Sequence, residues 1–202
     1  MNVLSVDFDW IMEPSIEAYN HISRGDALGP LRTWGKIYEV IPALNPECDL
    51  NKFNILYHLL LDKGKTLTKE DIFIGFNHDQ IYNFLKDYNE KFNIVNIDHH
   101  HDMGYPQNGH DIEAFEQLSV ANWVHYINKN KELLSYTWIH NKNSLHPREE
   151  EINNIKMYMH STDIDLIENM KFDKIFLCAS WEWVPPKYES LFDILVSTID
   201  KR

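Results

Sequence analysis

FNIVNIDHHHDMGY, residues 92–105, passes without a break from an apolar run to five consecutive Asp and His residues. Phe92 to Ile97 reads as a buried strand, and the cluster Asp98 to Asp102 stands at its carboxyl end. In open α/β sheets, the carboxyl ends of the strands form the functional edge. Asp98, His100 and Asp102 occupy alternate positions, so in an extended chain they face a common point, with His99 and His101 turned the other way. A carboxylate–imidazole–carboxylate set suits a borderline-hard divalent ion such as manganese, with zinc or iron as other choices. A solvated loop seldom needs five such residues directly after an apolar strand.

Two further segments end in the same way. In VLSVDFDW (3–10), Asp7 and Asp9 share one side of a strand end, where two carboxylates repel unless a proton or cation lies between them. In IFIGFNHDQ (72–80), His78 follows another strand candidate. Together the three pieces supply five carboxylates and two or three imidazoles, too many for one ion and suited to two. So many carboxylates packed together without cations would cost more Coulomb energy than a small domain can spare.

The rest of the chain alternates the two periodicities. Asp49 caps a helical stretch carrying Leu50, Phe53, Leu56, Leu59 and Leu60, which Gly64 closes. Ile81, Phe84, Leu85 and Tyr88 recur at helical spacing, Phe115 to Asn128 reads as helix, and a last helix carries Tyr188, Leu191, Phe192, Leu195 and Val196. Asp71 to Phe76, Leu133 to Ile139, Ile155 to Met159 and Lys174 to Ala179 are further strand candidates. Strands separated by helices predict an α/β fold, a three-layer αβα arrangement with a mostly parallel central sheet. Residues 1–202 read as a single domain, with Ser23 to Pro46 as one long irregular insertion. Asp163 and Asp165 form another Asp-x-Asp pair, but without a long apolar strand before it that pair reads as a loop or helix cap.

The net charge of −12 disfavours phosphate backbones and anionic lipid, so neither a nucleic acid nor a membrane is expected as partner. The 2 cysteines, Cys48 and Cys178, make no disulfide framework, and carboxylates by residue 7 leave no signal-peptide pattern. A cytoplasmic protein is the expectation.

The strand-end His, the Asp-x-His-x-Asp motif and the Asp-x-Asp motif resemble those of the arginase–agmatinase ureohydrolase superfamily, binuclear manganese enzymes of α/β fold. In arginase the Asp-x-Asp element comes last; here VDFD comes first. With that order, ANWVHYI (121–127) and FDKIFLCASWEWVPPKYESLFDIL (172–195) more closely resemble a divergent ureohydrolase-like family that includes the peptide arginases. Those enzymes convert arginine in ribosomally made peptides to ornithine. The resemblance implies an arginase-like fold, two Mn²⁺ ions, an arginine-containing precursor peptide as partner, and urea released by a hydroxide held between the ions. It implies Asp98 and Asp7 as bridging carboxylates, His78 and Asp102 completing one shell, and His100 and Asp9 the other. It offers Glu182, in SWEWVPP (180–186), as the acid that binds the guanidinium, with Trp181 and Trp183 able to flank a flat cation. For the proton-shuttling histidine it offers His110, with His140 second. The sequence departs from the family where Gly-Gly-Asp-His-Ser is replaced by GFNHD, and where Ser-Pro after the last strand becomes Ser180-Trp181.

IDHH also resembles the Asp-His-His motif of manganese phosphoesterases that act on nucleotides or single-stranded nucleic acid. Those enzymes usually carry a His before their first Asp-x-Asp and a later Gly-rich His motif, and neither is present here. A non-catalytic, metal-stabilised binding protein is a third reading. Nothing in the sequence addresses the oligomeric state.

Overall fold

Six short strands, the longest of seven residues, lie side by side and pair in parallel throughout. The computed structural model describes residues 1–13, 47–104, 117–131, 133–152, 155–181 and 183–200. In chain order the elements are β1 (Asn2–Asp7), β2 (Met12–Glu13), β3 (Glu47–Cys48), α1 (Leu50–Lys63), β4 (Ile72–Gly75), α2 (Gln80–Leu85) and β5 (Phe92–Ile97). There follow α3 (Trp123–Asn130), β6 (Leu133–Ile139), α4 (Glu149–Ile152), β7 (Tyr158–Ser161), β8 (Lys174–Cys178) and α5 (Glu189–Asp200). The large sheet has the order β4-β8-β1-β5-β6-β7, while β2 and β3 form a small antiparallel pair. The fold is therefore α/β, with helices on both faces of a parallel sheet.

Side-chain alternation assigns the two faces. Leu4 and Val6 of β1, Val95 and Ile97 of β5, and Ile175 and Leu177 of β8 pack with Phe53, Leu56 and Leu60 of α1 and with Phe192, Leu195 and Ile199 of α5. Val3, Phe92, Ile94 and Phe176 pack on the opposite face with Ile81 and Leu85 of α2 and Trp123, Val124 and Ile127 of α3. Strands covered on both faces explain the nearly continuous apolar runs seen in the sequence. The Asp49 side chain accepts the Asn51 and Lys52 amides at 2.8 and 3.2 Å, which starts α1, and the Gly64 amide closes it on the Leu60 and Asp62 carbonyls.

Local hydrogen bonds shift three expected elements. Of the helix expected from Phe115 to Asn128, residues 115–116 lie outside the described ones, and the described part begins at Trp123, because Asn122 accepts the Ser119 amide and donates to the Gln117 carbonyl, closing a turn first. The strand expected at Ile155 begins at Tyr158, since the Ile155 amide turns back onto the Ile152 carbonyl. Tyr88 falls beyond α2, its amide on the Leu85 carbonyl. The Asp163 side chain accepts the Asp165 amide at 3.0 Å and caps a short 3-10 helix, as expected for that pair. The insertion from Ser23 to Pro46 lies outside the described residues. No helix among the described residues is long and apolar enough to cross a membrane.

One ion pair fastens the amino edge of the sheet. Lys174 Nζ donates to Asp71 Oδ1 at 2.6 Å, and the other Asp71 oxygen accepts the Thr68 amide and hydroxyl. The Lys174 and Thr68 hydrogen bonds hold the Asp71 carboxyl at about 2, below its usual 3.8. A depressed carboxyl contributes stability above its unfolded value and loses it as pH falls through the folded one. Asp71→Asn is therefore expected to cost about 1 kcal/mol at pH 7, given the partly exposed setting. Urea unfolding of both proteins should show this gap shrinking as pH drops below about 4.

Candidate metal centre at the carboxyl edge

Because the large sheet is wholly parallel, the carboxyl ends of β1, β4, β5 and β8 share one edge. The chain leaves β1 toward β4 on one side and leaves β5 toward β6 on the other, so a topological switch point falls between β1 and β5. Asp7 and Asp9, then Asp98, His100 and Asp102, stand on the two sides of that crevice. His78 reaches it from β4.

The side chains converge in two groups. His78 Nδ1 lies 3.0 Å from Asp7 Oδ2, 3.1 Å from Asp98 Oδ2 and 3.0 Å from Asp102 Oδ2. His100 Nδ1 lies 2.9 Å from Asp9 Oδ2 and 3.8 Å from Asp98 Oδ1. Asp98 thus turns one oxygen to each imidazole. The other Asp7 oxygen accepts the Asp9 amide at 3.1 Å. Asp79, from the same segment as His78, stands instead at the amino end of α2.

Asp98, His100 and Asp102 share a side, but not as an extended strand. β5 ends at Ile97, the chain bends through residues 98–100, and Asp102 has the left-handed φ of 53°. Asp adopts that conformation more readily than most side chains. There its Oδ2 accepts the Trp123 indole N–H at 2.6 Å while facing His78. His100 is held by its own amide, which donates to Asp98 Oδ1 at 2.8 Å. His99 and His101 point elsewhere, as the alternation predicts. His99 Nδ1 meets the Asn141 side-chain amide at 3.0 Å, and His101 Nδ1 accepts the Met103 amide at 3.2 Å.

Several supporting residues carried no signal in the motifs themselves. Ser5 Oγ lies 2.7 Å from His78 Nε2, which fixes the ring and leaves Nδ1 toward the carboxylates. Asn96 Nδ2 donates to Asp98 Oδ2 at 2.9 Å. Each stands two residues before a predicted ligand on the same strand, so strand alternation points to both. Cys178 ends β8 opposite Asp7, and its sulfur comes within 4.8 Å of ligand atoms of Asp7 and His78. That contact depends on the order of strands in the sheet. At Gly75 a Cβ would come within 2.7 Å of Phe176, whose ring stacks on His78, so a glycine is needed where β4 approaches β8.

Charge in this crevice is unbalanced. Burial first, then the neighbouring Asp102 and Asp7 charges, raises Asp98 to about 7. Burial and a neighbouring Asp likewise raise Asp7 and Asp9. For His100, burial opposes the charged form, but Asp9 and Asp98 outweigh it and lift the imidazole to about 9. Burial likewise opposes protonation of His78, yet Asp102, Asp7 and Asp98 hold it well above 6.5. His99 and His101, buried beside His100, fall to about 3.

These groups could hold a metal ion: His78 with Asp98 and Asp102, and Asp9 with Asp98 and His100. The donor atoms fit one. Octahedral neighbours on bonds of about 2.1 Å lie about 3.0 Å apart, close to the spacing around His78. His78 Nδ1 and Asp9 Oδ2 are buried with ion-pair neighbours at 2.9–3.1 Å but no well-directed hydrogen bond, a geometry that a shared cation would suit.

Trp183 tilts against His100 with centroids 4.5 Å apart, whereas the Trp181 ring meets Phe192 in the core edge-on. Trp183 thus stands beside His100, and Trp181 packs against the core that includes Phe192. The His100 side chain is 14% exposed, whereas Asp98 is fully buried. His140 lies outside the crevice, its ring stacked on Trp138. Glu182 and His110 lie outside the described residues. Comparison of the chain with protein-family models, curated proteins and solved structures gives no match in any of the three.

Proposed function

We propose that the chain is a binuclear manganese hydrolase that converts arginine side chains in a peptide to ornithine, with release of urea. The observation that carries this reading is Asp98, whose two oxygens turn to separate imidazole–carboxylate groups. A single mononuclear site needs no such sharing. Two bound ions would neutralise the clustered carboxylates and supply an activated water at neutral pH. Asp7, Asp98, Asp102 and His78 would hold one, and Asp9, Asp98 and His100 the other; Asp7, expected as a second bridge, is assigned to the His78 ion alone because its other oxygen accepts the Asp9 amide. Carboxylate-rich sets favour manganese over softer ions.

The substrate class rests on the ureohydrolase-like motifs and on the site's surroundings. Trp183 packs beside the partly exposed His100 and brings to the site an aromatic ring suited to a flat cation. Glu182, its neighbour in sequence, is the acid assigned to the guanidinium, and the net charge of −12 favours a cationic peptide. In the reaction, water oxygen bonds to the guanidinium carbon and the bond from that carbon to the side-chain Nε breaks. Nε takes a proton, and urea leaves.

Incubating manganese-loaded protein with arginine-containing peptides should yield the ornithine mass and one urea per turnover. The lysine analogue, having no guanidinium carbon, should be inert. Glu182→Gln should lower turnover about ten-fold or more with metal content unchanged, because a neutral amide cannot replace a paired carboxylate. Cleavage of nucleotide phosphodiesters in place of arginine peptides would substitute the Asp-His-His phosphoesterase reading. Bound metal without turnover on either would mark a metal-stabilised binding protein.

A further inference from the structure

A second set of ligand side chains lies one strand away from the crevice. His140 follows β6, His160 is on β7 and His146 is in the loop between β6 and α4; one nitrogen from each lies within 4.8 Å of the others. In the parallel register His160 stands opposite Trp138, so the two share a face of the sheet, and His140 stacks on Trp138 two residues further along. The Trp138 ring also meets His146 edge-on at 5.9 Å, which makes it a common floor for the cluster.

We propose that His140, His146 and His160 form a separate zinc site. The tautomer of His140 supports this. Its Nδ1 lies 2.7 Å from the Asn141 carbonyl, which only accepts, so Nδ1 carries the proton and Nε2 presents a lone pair. That Nε2 faces His160 Nδ1 at 3.2 Å. Two imidazoles on one tetrahedral zinc, with bonds of about 2.0–2.1 Å, place their nitrogens about 3.3–3.4 Å apart. His140 is buried and oriented, while His146 and His160 are exposed and can close on an ion from solvent. An all-imidazole set without carboxylates selects zinc over manganese, the reverse of the Asp98 crevice. Such an ion would tie the loop after β6 to β7, the edge strand of the sheet, and leave a fourth position open to solvent.

Tag-free protein, its carboxylate crevice first saturated with manganese, would be titrated with zinc and its zinc content measured after desalting. Zinc that displaces manganese from the crevice is counted by the manganese lost, and the wild type should retain one further zinc per chain. The double variant His146→Ala/His160→Ala, altered only at exposed positions, should bind that zinc about 100-fold more weakly or worse, since even losses of supporting groups cost 10–100-fold. Circular dichroism would establish that the variant is folded, and cobalt in place of zinc should lose its tetrahedral absorption in the variant. Equal zinc affinity in the two proteins, or no tightly held zinc in the wild type, would overturn the site and leave the His140–His160 contact as an imidazole hydrogen bond.

Discussion

Asp98→Ala should leave the purified protein with almost no bound manganese, where the proposed centre would give the wild type two ions per chain. Loss of this one side chain removes a ligand from both groups, because its oxygens face His78 at 3.1 Å and His100 at 3.8 Å. Each affinity should fall by about 100-fold or more, beyond what loss of a supporting hydrogen bond costs. Without metal, the variant relieves the repulsion of Asp98 by Asp102 and Asp7 but strips an acceptor from Asn96, the His100 amide and two imidazoles, so it should melt somewhat below the metal-free wild type, by less than the loss of metal costs. Elemental analysis after desalting, with thermal melts with and without manganese, checks both halves. Unchanged metal content would exclude Asp98 as a shared ligand, and loss of a single ion would reduce the centre to independent sites.

Chelation should also destabilise the wild type strongly. A ligand that binds only the folded state, at a thousand times its Kd, contributes about 4 kcal/mol. For a chain of this size, each kcal/mol moves Tm by about 2–4 °C, so melting should fall by about 8–16 °C after chelation and return with manganese. Calcium should restore less, since it prefers more oxygen ligands at longer distances and does not favour imidazole. A melt insensitive to chelator would mean that the raised Asp98 and imidazole values are met by protons alone.

The candidate ligands at the carboxyl edge were legible because they follow directly from local pattern. An apolar run such as FNIVNI must be buried on both faces, and the Asp and His residues that interrupt it mark where the strand leaves the core. The same logic located Asp7, Asp9 and His78, and it set His99 and His101 apart from His100. It erred on the backbone beyond Ile97, which bends where an extended chain was expected; a hydrogen bond from the His100 amide to Asp98 and the left-handed Asp102 bring the ligands together instead. Trp123 was misplaced inside a longer helix because the turn before it depends on hydrogen bonds of the Asn122 side chain, which have no periodicity.

By itself, the sequence determined the α/β class, the apolar strands and the side chains standing at their carboxyl ends, since burial and alternation act over a few neighbouring residues. Only the tertiary structure decided the strand order β4-β8-β1-β5-β6-β7. That order sets Cys178 beside Asp7, lets Trp123 reach Asp102 across 21 residues, and brings His160 opposite Trp138, on which His140 and His146 pack. Pairing between distant strands is settled by packing over the whole sheet, so no local pattern records it.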